Sequence, residues 1–281
     1  MSWLAVAEKD FHDAIRSRLM IGVAVLFVLF TVGGVAGGSA LGLAGGDALG
    51  LILQLMLLAT GTFVPIIAIA VSYRAIAGEL ESGSLKLLLS LPNSRSDIVI
   101  GKFLGRSAVV GLAVVIGFLA MLIASAAAFD SGFDINVFFA YMLSTLLLAL
   151  VFVSIAVSVS AFTASTFPAA LGSFGIFVLF QYAWTFVIRI LLYAANGFER
   201  PGIGQAPPDW AEVVFVLNPT NAYSQATRWL LNRVSDSQQA QQAQQAADSF
   251  YLEPWFGFIV LAIWIFVPLA VGYLRFESVD L

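Results

Sequence analysis

The stretch from Tyr73 to Arg106, "YRAIAGELESGSLKLLLSLPNSRSDIVIGKFLGR", gathers five cations (Arg74, Lys86, Arg95, Lys102, Arg106), three acids (Glu79, Glu81, Asp97) and Pro92 between two apolar runs. At its centre, residues 84–91 read Ser-Leu-Lys-Leu-Leu-Leu-Ser-Leu. That is about two helical turns, roughly 12 Å, far too short to cross a bilayer. Gly83 permits a tight turn before this helix, and Pro92 ends it by disfavouring helical geometry at Leu91. Ser94, with Asp97 three residues on, forms a capping box that starts the next helix. Leu85, Leu87, Leu88, Leu89 and Leu91 are too apolar for open water. The short helix must therefore meet the membrane surface, another protein or the chain's own spans. The chemistry on offer is recognition.

Catalytic chemistry finds little material. No G-x-x-x-x-G-K-[ST] occurs, so the chain has no loop of its own to cradle nucleotide phosphates; "GKFLGRS" has a Gly-Lys pair without the preceding glycine. Cysteine is absent, which removes thiolate metal ligands, a thiol nucleophile and any disulfide framework. The single histidine, His12, precedes the first apolar run and reads as a solvated side chain. An intramembrane protease would need a histidine within the spans. No catalytic, cofactor-binding or metal site is read from the sequence. ATP, if used, must be bound in trans.

The elements that position the loop follow from composition. Of 281 residues, 60% are hydrophobic and 11% charged. Soluble domains run at about 45–50% apolar and about 25% charged, so the chain is an integral membrane protein. Six apolar runs are long enough to span: 19–38, 49–72, 107–129, 135–161, 167–193 and 255–274. In lipid they must be helices, because nothing there pairs with free backbone groups. The fold class is an all-α membrane protein of six transmembrane helices in a single domain, 1–281. The formal charge of −4 gives nucleic-acid binding no support. None of the six runs holds Asp or Glu, which speaks against a proton- or sodium-driven carrier.

Orientation follows from Lys and Arg. Lys9, Arg16 and Arg18 precede the first span, the five cations of the loop at 73–106 lie between the second and third, and Arg275 follows the last. With alternating spans all fall on one side, while the short loops opposite hold Asp47, Asp130 and Asp134 and no cation. The positive-inside rule puts both termini and the loop in the cytoplasm. Residues 1–18 form an amphipathic interfacial helix, with Trp3, Ala7, Phe11 and Ile15 on one stripe and Trp3 at headgroup level. The N-terminus lacks the pattern of a cleaved signal peptide.

Residues 194–254 are expected as an external loop with short helices. One is capped by Asp209 with Glu212 three residues on, Asn218-Pro219 breaks it, and a second carries Tyr223, Ala226, Leu230, Leu231 and Val234 on one face. "SQQAQQAQQAADS" reads as a solvated linker or frayed helix. Polar residues inside the spans are few. Gln54, Gln181 and Arg189 are candidates for a pathway lining, although Gln54 could serve a neighbouring helix and Arg189 could snorkel outward. Gly33, Gly34, Gly37 and Gly38 form overlapping G-x-x-x-G pairs suited to close helix contact. Pro65 is expected to kink the second span, and Pro168 fits a first helical turn.

"GELESGSLKLLLSLPNSRSDIVIGK" resembles the loop between the second and third spans of type-2 ABC transporter permeases. There an acid precedes Gly-Thr/Ser-Leu, a leucine run leads to proline, and an arginine stands before a Gly-Lys pair. Glu81, Gly83, Ser84, Leu85, Leu87, Leu88, Leu89, Pro92, Arg95, Gly101 and Lys102 match it, with Ser84 in place of the commoner threonine. "EKDFHDAIRSR" is similar to the family's opening. "LNPTNAY", 217–223, resembles a late motif in the permeases that serve nitrous oxide reductase maturation. The Gln-rich insert has no counterpart in the family pattern. The resemblance implies that the short helix is a coupling helix docking into a groove on a separate ABC ATPase subunit. Leu87 and Leu88 would be its anchors, and Glu79, Glu81, Lys86 and Arg95 would set register. It implies a permease subunit of an ATP-driven exporter in the cell (plasma) membrane, acting as a homodimer or with a similar permease. The alternative is an ATP-independent secondary carrier or membrane scaffold.

Overall fold

A computed structural model describes residues 3–40, 46–85, 94–128, 135–198, 208–234, 250, 253 and 255–278. Helix α1, Trp3–Ile15, leads into α2, Arg18–Ala40, and α3, Gly46–Ser72. Short α4, Ala77–Ser82, precedes the long α5, Arg95–Ala128, and α6, Ile135–Phe162. Helix α7, Thr166–Val178, passes through a π-helical turn, Leu179–Ala183, into α8, Trp184–Ala195. Then come α9, Asp209–Val216, α10, Pro219–Val234, and α11, Phe256–Glu277. Among the described residues there is no strand, and six helical stretches are long and apolar enough to cross a membrane.

Helix α6 is the axis of the bundle. Its serines bind it to α11: Ser154 Oγ donates to the Ile265 carbonyl at 2.6 Å, and Ser158 Oγ donates to the Pro268 carbonyl. Apolar helices gain no hydrophobic drive from one another in lipid, so such hydrogen bonds and close contacts carry the association. A Cβ on Gly272 would fall 2.5 Å from Ser158 Oγ. The α2–α5 seam repeats the device. A Cβ on Gly117 would sit 2.2 Å from Phe27 Cδ1, and Thr31 Oγ1 donates to the Gly117 carbonyl at 3.0 Å.

At 34 residues, α5 is about 51 Å long, against a hydrocarbon core of about 30 Å. It begins twelve residues before the third span expected at 107, so 95–106 form a foot beyond the apolar part. The capping box that starts it is present: Ser94 N donates to Asp97 Oδ2 at 3.0 Å, and Asp97 N donates to Ser94 Oγ at 3.1 Å. Helix α4 is capped from a distance, its Ile76 and Ala77 amides donating to buried Ser160 Oγ at 3.0 and 2.9 Å. It ends at Gly83, whose φ of 74° is the left-handed geometry that glycine adopts without cost.

One sequence expectation changes here. Pro208, not Asp209, stands before α9; its carbonyl receives the Ala211 amide at 2.8 Å, and Asp209 takes the first helical position. There its charge suits the positive end of the helix dipole without acting as a side-chain cap. Helix α10 buries Tyr223 and Ala226 of its expected one-sided stripe. It folds back against α6 and α11, with Ala222, Tyr223, Ala226 and Thr227 buried. Asn218-Pro219 makes this turn: Asn218 Oδ1 receives the Thr220 amide at 2.8 Å, and Pro219 takes the first helical position, where an N–H is dispensable. Asn218 Nδ2 also donates to the Phe180 carbonyl in the π turn at 2.7 Å.

Candidate functional site

The foot of α5 is where four other elements meet. Gly101 and Gly105, one turn apart, admit α1 to backbone contact. A Cβ on Gly101 would lie 2.6 Å from Val6 Cβ and 2.8 Å from the Trp3 carbonyl, and one on Gly105 would lie 2.8 Å from the Ala7 carbonyl. The four-residue small spacing is thus used here. Gly33 and Gly37, which also carry the pattern, have open space where a Cβ would go.

Between the two glycines Lys102 reaches into an ion network. Its Nζ lies 2.7 Å from Glu79 Oε1 on α4 and 3.1 Å from Asp10 Oδ1 on α1. Arg106, one turn further, places Nε 2.8 Å from Asp10 Oδ2 and donates to the Val71 carbonyl in the last turn of α3 at 2.7 Å. Asp10 and Lys102 are 3% and 2% exposed, so neither charge has water as a fallback. Two acids against two cations leave the network neutral, the condition under which buried charge is tolerated.

Three further contacts finish the mounting. Arg95 donates to the carbonyls of Phe276 at 2.5 Å and Glu277 at 2.8 Å, satisfying the end of α11, and its guanidinium stands 5.6 Å from the Phe276 ring centre. Glu81 Oε2 receives the Thr166 amide at 2.8 Å, capping α7 from another element. Leu85 is buried at 1% exposure, while the Ser84 and Ser82 hydroxyls lie 3.0 Å apart at the surface.

The expected docking residues therefore divide. Glu79, Glu81, Arg95, Gly101 and Lys102 hold one helix to another, Gly83 makes the turn out of α4, and Leu85 packs inside. Ser84 and Leu85 are helical; Lys86, Leu87, Leu88 and Pro92, with Leu89 and Leu91, lie outside the described residues. Both ends of the segment between Gly83 and Ser94 are consequently fixed. Displacing that segment must load α1, α3, α7 and α11 through the foot of α5 and through α4.

The interfacial helix differs in detail from its expected form. The stripe it buries is Val6, Ala7, Asp10 and Ala14, and Trp3 remains 44% exposed. Sequence reasoning missed Asp10, because periodicity assigns an acid on an amphipathic helix to the wet face. The cations that face it, Lys102 and Arg106, carry no local signal of a buried acid, because their partner lies about ninety residues away on another helix.

Two of the three pathway candidates have described side chains. Gln181 Nε2 donates to Thr62 Oγ1 at 2.9 Å, joining the π turn to α3. Arg189 is exposed on α8 beside Phe186 and Ile190, which are 64% and 50% exposed. The side chain of Gln54 lies outside the described residues. A different polar cluster lies within the bundle: Thr60 Oγ1 is 2.6 Å from Tyr141 Oη and 2.9 Å from Tyr223 Oη, and Thr145 Oγ1 is 3.2 Å from Tyr223 Oη. It ties α3, α6 and α10 together, and it explains why Tyr223 of "LNPTNAY" is drawn inward.

Comparison with known proteins fits this architecture. Residues 4–281 match the family described as ABC-2 family transporter protein. A protein of Stutzerimonas stutzeri with the name "Probable ABC transporter permease protein NosY" is 32% identical over 226 residues, 78% of each chain. A protein of the same name from Pseudomonas aeruginosa is 30% identical over 225 residues, again 78% of each.

Proposed function

We propose that this chain, which belongs to the ABC-2 transporter family and is a membrane subunit of an ABC transporter, exports its substrate in tandem with a separate ATPase chain that grips the helix at 84–91. Two permease copies, or this chain and a similar one, would each engage one ATPase. The observation that supports the reading best is the anchoring of the chain on both sides of that segment. Gly83 ends an α4 tied to Lys102 through Glu79, and Ser94 starts the α5 foot that also holds α1 and α11. A segment mounted in this way acts as a lever on the bundle, as ATP-driven closure of a partner requires. Of the expected anchors Leu87 and Leu88, Leu87 is the proposed outward one, with Lys86 and the turn at Pro92 shaping the contact.

The reading places ATP entirely in the partner. Purified alone, the chain is expected to show no ATP binding by fluorescent-nucleotide titration and no phosphate release. With its ATPase in liposomes, hydrolysis should appear and depend on both chains. Hydrolysis by the isolated polypeptide would overturn the assignment.

The same reading places both termini and the loop in the cytoplasm of a plasma-membrane protein, supported by the Lys/Arg asymmetry. Because the chain has no cysteine, single ones report cleanly. In intact cells Ser82→Cys, at an exposed position, should resist a membrane-impermeant maleimide, and Ser237→Cys should react. The opposite pattern would invert the topology.

A further inference from the structure

We propose that a cavity beside the ion network is a binding site for the headgroup of an ethanolamine phospholipid from the adjoining leaflet. The cavity has a volume of about 290 Å³ and is walled by α1, the end of α3, α4 and the foot of α5. Water in the liquid occupies about 30 Å³ per molecule, so the space suits a small polar group better than one or two trapped waters. It lies where apolar spans end. Ala70 and Val71 close the last turn of α3 on one side, and Lys102 and Arg106 precede the apolar part of α5 on the other. This is headgroup depth.

The charges on its wall specify what fits. Lys102 and Arg106 are already committed to Asp10, Glu79 and the Val71 carbonyl. Two charged groups at the rim, Arg74 and Asp13, are exposed. Glu79 also lines the cavity, with its Oε1 paired to Lys102 Nζ at 2.7 Å. The matching ligand carries an anion for Arg74 and an N–H-bearing cation for Asp13. Phosphoethanolamine has this form. A choline headgroup keeps the positive charge but offers no N–H, and a glycerol headgroup lacks the positive charge.

Delipidated full-length protein is incubated with phosphatidylethanolamine, phosphatidylcholine or phosphatidylglycerol in mixed micelles, and lipid bound per chain is read by native mass spectrometry. Phosphatidylethanolamine should be retained at least fivefold over the other two. Arg74→Gln should lower its retention severalfold and Arg74→Lys should restore most of it. Asp13→Asn should erase the preference over phosphatidylcholine. Both positions are exposed, so far-UV circular dichroism and the thermal melt should match wild type in every variant. Equal retention of the three lipids, a preference for phosphatidylglycerol, or retention unchanged in both Arg74→Gln and Asp13→Asn would overturn the proposal. A competition arm fixes the source: if free phosphoethanolamine displaces the lipid at concentrations equal to short-chain phosphatidylethanolamine, the ligand is a soluble zwitterion and the lipid assignment is wrong.

Discussion

Asp10→Asn should release α1 from the foot of α5. Asp10 gives one oxygen to Lys102 Nζ at 3.1 Å and the other to Arg106 Nε at 2.8 Å, and it is 3% exposed. Neutralising it leaves two cations facing the single charge of Glu79. Breaking a buried pair by removing one partner costs about 3–5 kcal/mol. At about 1.4 kcal/mol per factor of ten, the docking equilibrium shifts by roughly a hundredfold or more. Hydrogen exchange of the α1 amides should accelerate by about that factor, with exchange in α6 unchanged. Gly105→Leu should reproduce the effect without touching a charge, because a Cβ there already falls 2.8 Å from the Ala7 carbonyl. A double-mutant cycle of Asp10→Asn with Arg106→Gln should show strong non-additivity, since the second change removes a group that the first has orphaned. Wild-type α1 exchange in Asp10→Asn would mean that packing at the two glycines holds the helix alone, and the ion network is not the clasp.

Span positions were legible because lipid imposes one rule on every residue of a span. Five of the six expected runs start within a few residues of observed helices, and the Ser94–Asp97 box and the Asn218-Pro219 break were visible as short-range patterns. What stayed hidden was the use of charge between distant elements. Lys102 lies 92 residues from Asp10 and 23 from Glu79, so nothing in the local sequence separates a buried network from a wet face. Arg95 and Glu81 each read as surface charges, whereas their geometry serves helix ends at Phe276 and Thr166. The stripe of α10 was legible in part: Tyr223 and Ala226 stand on the face that packs inward, whereas the hydroxyl partners of Tyr223, Thr60 on α3 and Thr145 on α6, come from distant elements.

Leu87→Asp is expected to abolish pairing with the ATPase while leaving insertion normal. Leu85 is buried against the chain's own bundle and is helical with Ser84. Residues 86–93 lie outside the described residues, but the sequence from 84 to Pro92 reads as one helix. At 3.6 residues per turn, position 88 falls near the side of Leu85, and position 87 falls about 200° away. Leu87 is therefore the stronger candidate for an outward anchor, and Leu88 shares its side with a residue that packs inward. An interface anchor contributes about 2 kcal/mol or more, and a desolvated, unpaired carboxylate adds several kcal/mol of penalty. Affinity should fall by well over tenfold. Pull-down of the ATPase at matched membrane levels measures it, with Leu87→Ala as the milder step and Glu8→Gln, exposed on α1, as the control that should bind normally. Leu88→Asp should instead lower the membrane level or thermal stability of the chain before it affects pairing. If Leu87→Asp retains the ATPase as well as wild type does, the helix at 84–91 is not the coupling element.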